Sequence, residues 1–202
     1  MIKATEALKR LREGNVRFVE SLRKSEALPP KRLELQQDQA PFAIIFGCSD
    51  SRVPAELVFD QGLGDLFVIR VAGNIVAPSL IGSVEFAAER FGTRLVVVLG
   101  HSSCGAILAT LEQLKNPSNP SHNMEDILSR VRPYVASLLE TELKNDMPAL
   151  VKSAVRANIR ASVSHLRHGS QVLESLIQKD GLLVVGAEYS LNTGAVEFMD
   201  GV

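Results

Sequence analysis

Residues 41–52 of the chain read PFAIIFGCSDSR, an apolar run that passes directly into a polar turn. A continuous apolar run of this length is typical of a strand that is buried on both faces, as in parallel sheets. The turn begins with Cys48 and also carries the charged side chains of Asp50 and Arg52. This stretch therefore predicts a buried strand with chemically reactive side chains at its carboxyl end.

Three later apolar runs have the same character and predict further buried strands. They cover residues 66–71, 95–100 and 182–187. Helical patterns lie between them, including residues 79–91, 105–114, 124–143 and 148–168, and residues 116–122 have the composition of a loop. Strands that alternate with helices indicate an α/β fold with a mainly parallel central β-sheet flanked by helices.

The segment before the first strand has a different pattern. Residues 5–22 place apolar side chains among charged ones at helical spacing, which predicts an amphipathic helix that Pro29 and Pro30 interrupt. No internal repeat or long low-complexity linker divides the chain. We therefore expect a single domain, in which residues 1–38 form an N-terminal helical arm and residues 39–202 form the α/β core.

The composition limits the classes of partner. The chain has 202 residues, and its 22 basic and 23 acidic residues give a formal net charge of -1, so no overall charge attracts nucleic acid or anionic lipid. Its apolar runs are far shorter than the roughly 20 residues of a membrane helix, and its N-terminus lacks the pattern of a secretory signal. We expect a cytoplasmic protein that binds neither nucleic acid nor membrane.

A second motif, His101 to Cys104, begins where another apolar run ends. Ligands usually bind at the carboxyl ends of parallel strands, so Cys48 is expected nearby, with a helix beginning near Ser102. Zinc favours thiolate and imidazole ligands, and catalytic zinc sites keep a fourth position open for water. In the alternative interpretation, both cysteines are small buried hydrophobic residues, and His101 only caps a helix or forms a hydrogen bond with the backbone. The joint placement of the three side chains favours the metal.

These residues also resemble the signatures of the β-carbonic anhydrases, Cys-x-Asp-x-Arg followed by His-x-x-Cys-Gly. Residues 48–52 read CSDSR and residues 101–105 read HSSCG, and further likeness covers most of the chain. The resemblance implies reversible hydration of carbon dioxide to bicarbonate and a proton. It also implies one zinc ion per chain, bound by Cys48, His101 and Cys104, with the fourth position held by water or, in a closed form, by Asp50.

Zinc lowers the pKa of bound water towards about 7 and so supplies a hydroxide that attacks carbon dioxide. Asp50 is suited to accept the hydroxide proton in a hydrogen bond, and Arg52 to hold that carboxylate through two parallel hydrogen bonds. We hypothesise that Asp50 ligates the metal in an inactive form at low pH and pairs with Arg52 at higher pH. The alternative for this pair is an ordinary ion pair that stabilises a turn.

The family match also suggests substrate-binding residues and an assembly. Gln39 matches a glutamine that donates a hydrogen bond to bound substrate or bicarbonate across a dimer interface. Phe67 and Phe86 match pocket-lining aromatic positions, although core packing explains them equally well. The amide near Gly105, at the expected helix start, favours the bicarbonate anion. The resemblance implies a dimeric unit, present as a homodimer or a dimer of dimers.

One family feature is not matched in full. Some members have a bicarbonate-inhibition site, and Ile45 stands where that site has a tryptophan, although Arg70 and Tyr189 occupy its other two positions. Inhibition of that kind is therefore not expected.

Three other functions are alternatives to that of a carbonic anhydrase. The nearest alternative is a catalytically inactive zinc protein of the same fold. The presence of both Asp50 and Arg52 disfavours this alternative. A thiol redox enzyme is disfavoured because no Cys-x-x-Cys motif is present. A nucleotide-binding protein is disfavoured because residues 61–64 read as a turn and lack a phosphate-loop pattern.

Overall fold

The computed structural model describes residues 2–22 and 39–199 of the chain. Its central sheet has the strand order β2-β1-β3-β4-β5, in which the first four strands are parallel and β5 is antiparallel to β4. The strands are β1 (Ala43–Gly47), β2 (Leu66–Arg70), β3 (Leu95–His101), β4 (Leu183–Tyr189) and β5 (Val196–Phe198). The predicted α/β fold with a mainly parallel sheet is confirmed.

Seven α-helices accompany the sheet in the described part of the chain. They are α1 (Ala4–Leu22), α2 (Ala55–Val58), α3 (Pro78–Arg90), α4 (Gly105–Lys115), α5 (His122–Val135), α6 (Met147–His168) and α7 (Gln171–Lys179). Short 3₁₀ segments cover Ala72–Asn74, Ala136–Glu140 and Glu142–Asn145. None of the described helices is both long enough and apolar enough to span a membrane.

The helix predicted over residues 124–143 is wrong in its second half. Helix α5 ends at Val135, and the chain continues through the two later 3₁₀ segments. Pro133 lies in the last turn of α5, where its missing N–H removes one bond of the helical ladder. The helices predicted over residues 5–22, 79–91, 105–114 and 148–168 agree with the structure to within about two residues, which is the usual uncertainty of helix ends.

Helices cover both faces of the sheet. Side chains alternate along β1, so Ile44 and Phe46 face the apolar core that the sheet shares with α3 to α7, whereas Ile45 faces the core that it shares with α1 and α2. All three side chains are fully buried. Burial on both faces explains why the parallel strands appear in the sequence as continuous apolar runs.

Helix α1 is anchored to the α/β core. Its side chains Ala4, Ala7, Leu8 and Leu11 are buried in the apolar cluster on this face of the sheet. Its buried Asn15 donates hydrogen bonds to the carbonyl oxygens of Val58 (2.8 Å) and Gly194 (3.0 Å). The amide of Val196 donates to the side-chain oxygen of Asn15 at 2.9 Å. The predicted helix over residues 5–22 is therefore confirmed, while Pro29, Pro30 and the rest of residues 23–38 lie outside the described residues.

Candidate metal centre

The three predicted metal ligands meet at the carboxyl edge of the sheet. Cys48 follows β1 directly, and His101 is the last residue of the neighbouring strand β3. Cys104 is the N-cap of α4, which begins at Gly105 and not near Ser102 as predicted. Residues 102–104 form a tight turn instead, in which Ser103 has a left-handed φ of 55°. This turn brings His101 and Cys104 together.

The geometry of the three ligands suits a single ion. One donor atom from each of Cys48, His101 and Cys104 lies within 4.8 Å of the other two. The two sulfur atoms are 4.0 Å apart and the cysteines are free. The three side chains are 6%, 0% and 1% exposed. Two thiols and one imidazole, buried and convergent, form a donor set for a soft or borderline divalent cation.

His101 is oriented as metal-binding histidines usually are. Its Nδ1 lies 2.9 Å from the carbonyl oxygen of Ser102, so the N–H is on Nδ1 and donates to that oxygen. The lone pair is then on Nε2, which is buried and has no hydrogen-bond partner within the described parts of the chain. A buried acceptor without a partner costs free energy, and a bound cation removes that cost.

The pKa values of the two thiols are shifted in opposite directions. The hydrogen bond from the Cys104 thiol lowers the pKa of Cys48 to about 4, with further help from the Gly73 amide, whose nitrogen is 3.3 Å from the Cys48 sulfur. The same bond raises the pKa of Cys104, as do burial and the Cys48 charge. Burial alone lowers the pKa of His101, but the Cys48 thiolate outweighs burial and raises it. A divalent cation at this position favours ionisation of both thiols.

Asp50 lies beside the three ligands and is held by Arg52. The guanidinium donates from Nε to Oδ1 (2.9 Å) and from Nη2 to Oδ2 (2.7 Å), and the Arg52 amide donates to Oδ1 (3.0 Å). These bonds hold the pKa of Asp50 well below its usual range. Asp50 Oδ2 is 3.8 Å from His101 Nε2. In this arrangement the carboxylate is paired with Arg52 and is not one of the three clustered ligands.

Arg70 has a structural role that the sequence did not reveal. It donates from Nε to the carbonyl oxygen of Cys48 (2.8 Å) and from Nη2 to that of Asp50 (2.5 Å). Arg70 is paired with Gly47 in the sheet. Its position at the end of β2, beside the end of β1, was the sequence signal that could have indicated this role. Ile45 and Tyr189, the other residues compared with the bicarbonate-inhibition site, belong to one buried apolar cluster.

The four predicted substrate-binding residues are not all brought together. Phe67 on β2 and Phe86 on α3 have ring centroids 6.2 Å apart, and each ring also contacts Phe91. Gly105 is the exposed first residue of α4, next to Cys104, with open space at its Cβ position. Gln39 is exposed and lies before β1. The two phenylalanines thus form an aromatic cluster at one edge of the sheet.

Comparison with known proteins assigns the chain to a family. A family model described as carbonic anhydrase matches residues 43–196. The carbonic anhydrase of Mycolicibacterium smegmatis is 38% identical, and the alignment covers 95% of this chain and 91% of that protein. Carbonic anhydrase 2 of Mycobacterium tuberculosis is 37% identical, with 97% and 93% covered.

Solved structures specify the class. The β-carbonic anhydrase CcaA has a TM-score of 0.74 and 26% identity, with 98% of this chain and 90% of that chain covered. The chain belongs to the β-carbonic anhydrase family. A tetrameric β-carbonic anhydrase of Sordaria macrospora gives a TM-score of 0.75 at 25% identity, covering 83% of this chain and 85% of its own. The cluster of Cys48, His101 and Cys104 is therefore where a member of this metalloenzyme family can hold its metal.

Proposed function

We propose that this carbonic anhydrase converts carbon dioxide and water reversibly into bicarbonate and a proton, with one zinc ion held by Cys48, His101 and Cys104. The observation that carries the proposal is the convergence of these three buried donors within 4.8 Å, with the Asp50–Arg52 pair beside them. Family membership supports the reaction, and the donor set supports the choice of zinc. When bound, zinc supplies Lewis acidity that makes water a nucleophile near neutral pH.

Asp50 and Arg52 are the proposed catalytic pair. The low pKa of Asp50 keeps its carboxylate ionised at neutral pH, so its oxygens accept hydrogen bonds and do not donate them. A fixed acceptor can orient the attacking water towards carbon dioxide. The two parallel hydrogen bonds from Arg52 fix the acceptor, which a lysine cannot do in the same way.

The pocket for carbon dioxide is proposed to include Phe67, Phe86, Gly105 and Gln39. Carbon dioxide is small and apolar, and the contact between the two phenylalanine rings offers an apolar wall. The Gly105 amide at the N-terminus of α4 is suited to attract bicarbonate, because helix N-termini favour anions. Gln39 is proposed to donate a hydrogen bond to substrate or product.

We propose that the chain forms a single domain and assembles as a homodimer or a dimer of dimers. In the described sheet β2 lies at one edge, and the adjacent Phe86 side chain is 53% exposed. An exposed aromatic side chain beside a sheet edge is suited to pack against a second copy of the chain. The Sordaria macrospora relative is described as tetrameric. The cytoplasmic location stays a prediction.

Stopped-flow measurement of carbon dioxide hydration tests the proposal. Wild-type protein of known zinc content is compared with Cys104→Ala, Asp50→Ala and Arg52→Lys from about pH 6 to about pH 9. We expect Cys104→Ala to lose zinc and activity together. Asp50→Ala should keep zinc and lose roughly 100-fold in kcat, and Arg52→Lys should lose less.

The exposed Ser51 lies between the two proposed catalytic residues, so Ser51→Ala is the matched control and should leave activity unchanged. A fully zinc-loaded wild-type protein that is inactive across this pH range would contradict the proposal. That result would favour the inactive zinc protein of the same fold.

A further inference from the structure

A turn outside the ligand motifs contacts the metal centre. It is the 3₁₀ segment Ala72–Asn74, in which the Gly73 amide donates to the Cys48 sulfur at 3.3 Å. Gly73 has a left-handed φ of 71° and Asn74 one of 42°. Glycine and asparagine are among the few residue types that adopt this conformation readily, and contacts from outside the turn hold it in place.

Helix α6 supplies those contacts through two buried polar side chains. Asn158 donates from Nδ2 to the carbonyl oxygen of Gly73 at 2.8 Å, and Ser162 donates from Oγ to that of Asn74 at 3.0 Å. Asn158 is 3% exposed and Ser162 is 4% exposed. Being four residues apart, they lie on one face of the helix and bind consecutive carbonyl groups of the turn.

The turn is also enclosed by close packing. A Cβ atom at Gly100 would lie 2.6 Å from Ile159 Cδ1, and one at Gly186 would lie 2.7 Å from Ile159 Cγ2. The two glycines therefore let α6 approach β3 and β4 closely, which brings its polar side chains to the turn. A Cβ atom at Gly73 would lie 2.9 Å from Ala106 Cβ, so α4 packs against the turn as well.

We propose that Asn158 is a positioning residue of the metal centre, which keeps the Gly73 amide on the Cys48 sulfur. The inference rests on the proposed metal site and adds a residue that influences the Lewis acidity of the bound metal. An N–H group that donates to a metal-bound thiolate withdraws charge from sulfur, and the metal then becomes a stronger Lewis acid. Two thiolates cancel the formal charge of a divalent ion, so such withdrawal matters more here than at a site of neutral ligands.

The test uses Co²⁺ as a spectroscopic substitute for zinc in the full-length protein. Asn158→Ala should lower the Co²⁺ affinity about tenfold, as measured in competition with a chelator. This is the lower end of the range found when residues that hydrogen-bond to metal ligands are replaced. It should also move the thiolate-to-cobalt charge-transfer band to longer wavelength, because the sulfur becomes more electron-rich. Asn158→Ser, a milder truncation that also loses the amide donor, should shift both readouts in the same direction.

Ile159→Val is the matched control, since it removes one carbon where α6 packs on Gly100 and Gly186 and leaves the Asn158 side chain itself unchanged. This variant should keep the wild-type band and affinity. The proposal is overturned if both Asn158 variants match the wild type, or if Ile159→Val shifts the band equally. Neither readout depends on activity. If the wild-type protein binds Co²⁺ tightly and shows the thiolate band, but the zinc-loaded protein hydrates no carbon dioxide, only the proposed function is overturned.

Discussion

Asp50 shows how a single side chain can have two competing partners. Arg52 holds it through three hydrogen bonds, and Oδ2 is 3.8 Å from His101 Nε2, the nitrogen that is proposed to bind the metal. Because Arg52 lowers the pKa of Asp50, the carboxylate stays ionised as the pH falls through the mildly acidic range. Protonation of Asp50 therefore does not explain a loss of activity near neutral pH.

The hypothesis of an Asp50 switch makes a different prediction for this pH range. If an inactive form arises because the ionised carboxylate moves from Arg52 to the metal, the coordination shell must change over the same pH range as the activity. X-ray absorption of the zinc-loaded protein measures that shell. We expect the change in wild type and not in Asp50→Ala. An unchanged shell across the activity transition of the wild-type protein would reject the switch.

At the scale of secondary-structure elements, the turn Ala72–Asn74 connects helix packing to the metal. Gly73→Ala should lower the free energy of unfolding by about 1–2 kcal/mol, because alanine is strained at a φ of 71° and its Cβ crowds Ala106. Displacement of the turn should also weaken zinc binding. Chemical denaturation and chelator competition measure the two effects.

Gly181 offers a control for strain alone. Its φ is 67°, and nothing lies within 4 Å of the position of a Cβ atom. It precedes β4 and so lies at the amino ends of the parallel strands, whereas the metal centre lies at their carboxyl ends. Gly181→Ala should cost a similar free energy of unfolding from backbone strain and leave zinc affinity unchanged. Equal zinc affinity in Gly73→Ala and Gly181→Ala would contradict a role for the turn in metal binding.

Sequence patterns predicted the four parallel strands because burial on both faces produces continuous apolar runs. Strand β5 (Val196–Phe198) was missed, since three residues with a glutamate in the middle give no such signal. Helix α7 was also not predicted. The meeting of Cys48, His101 and Cys104 was predictable because each closes or follows a recognisable strand, which places the three side chains at the carboxyl ends of the parallel strands.

The supporting contacts of the centre were not predictable from local pattern. Asn158 reaches Gly73 across 85 positions of the sequence, and this contact depends on how closely α6 packs on β3 and β4. The available signal was weak: Asn158 and Ser162 interrupt the buried, otherwise apolar face of α6 at helical spacing. A buried polar residue on such a face usually has a specific partner, but the sequence does not identify it.

At the scale of the whole molecule, the exposed Phe86 beside β2 supports assembly. Sedimentation equilibrium of the wild-type protein should give two or four chains per particle. Phe86→Ser should shift the distribution towards monomer, because it removes exposed apolar area that the proposed assembly would bury. The control is Tyr134→Ser on α5, whose side chain is 38% exposed and which should leave assembly unchanged. A wild-type protein that is monomeric at micromolar concentration would contradict the assembly.

The central claim is that a metal ion held by Cys48, His101 and Cys104 performs carbon dioxide hydration. Its most direct test is the stopped-flow hydration rate of the same preparation before chelation, after chelation and after zinc is restored, with bound zinc quantified at each stage. The rate should fall in proportion to bound zinc and recover when one ion per chain is restored. A rate that does not depend on zinc content, or a fully loaded protein no faster than buffer, would contradict the claim.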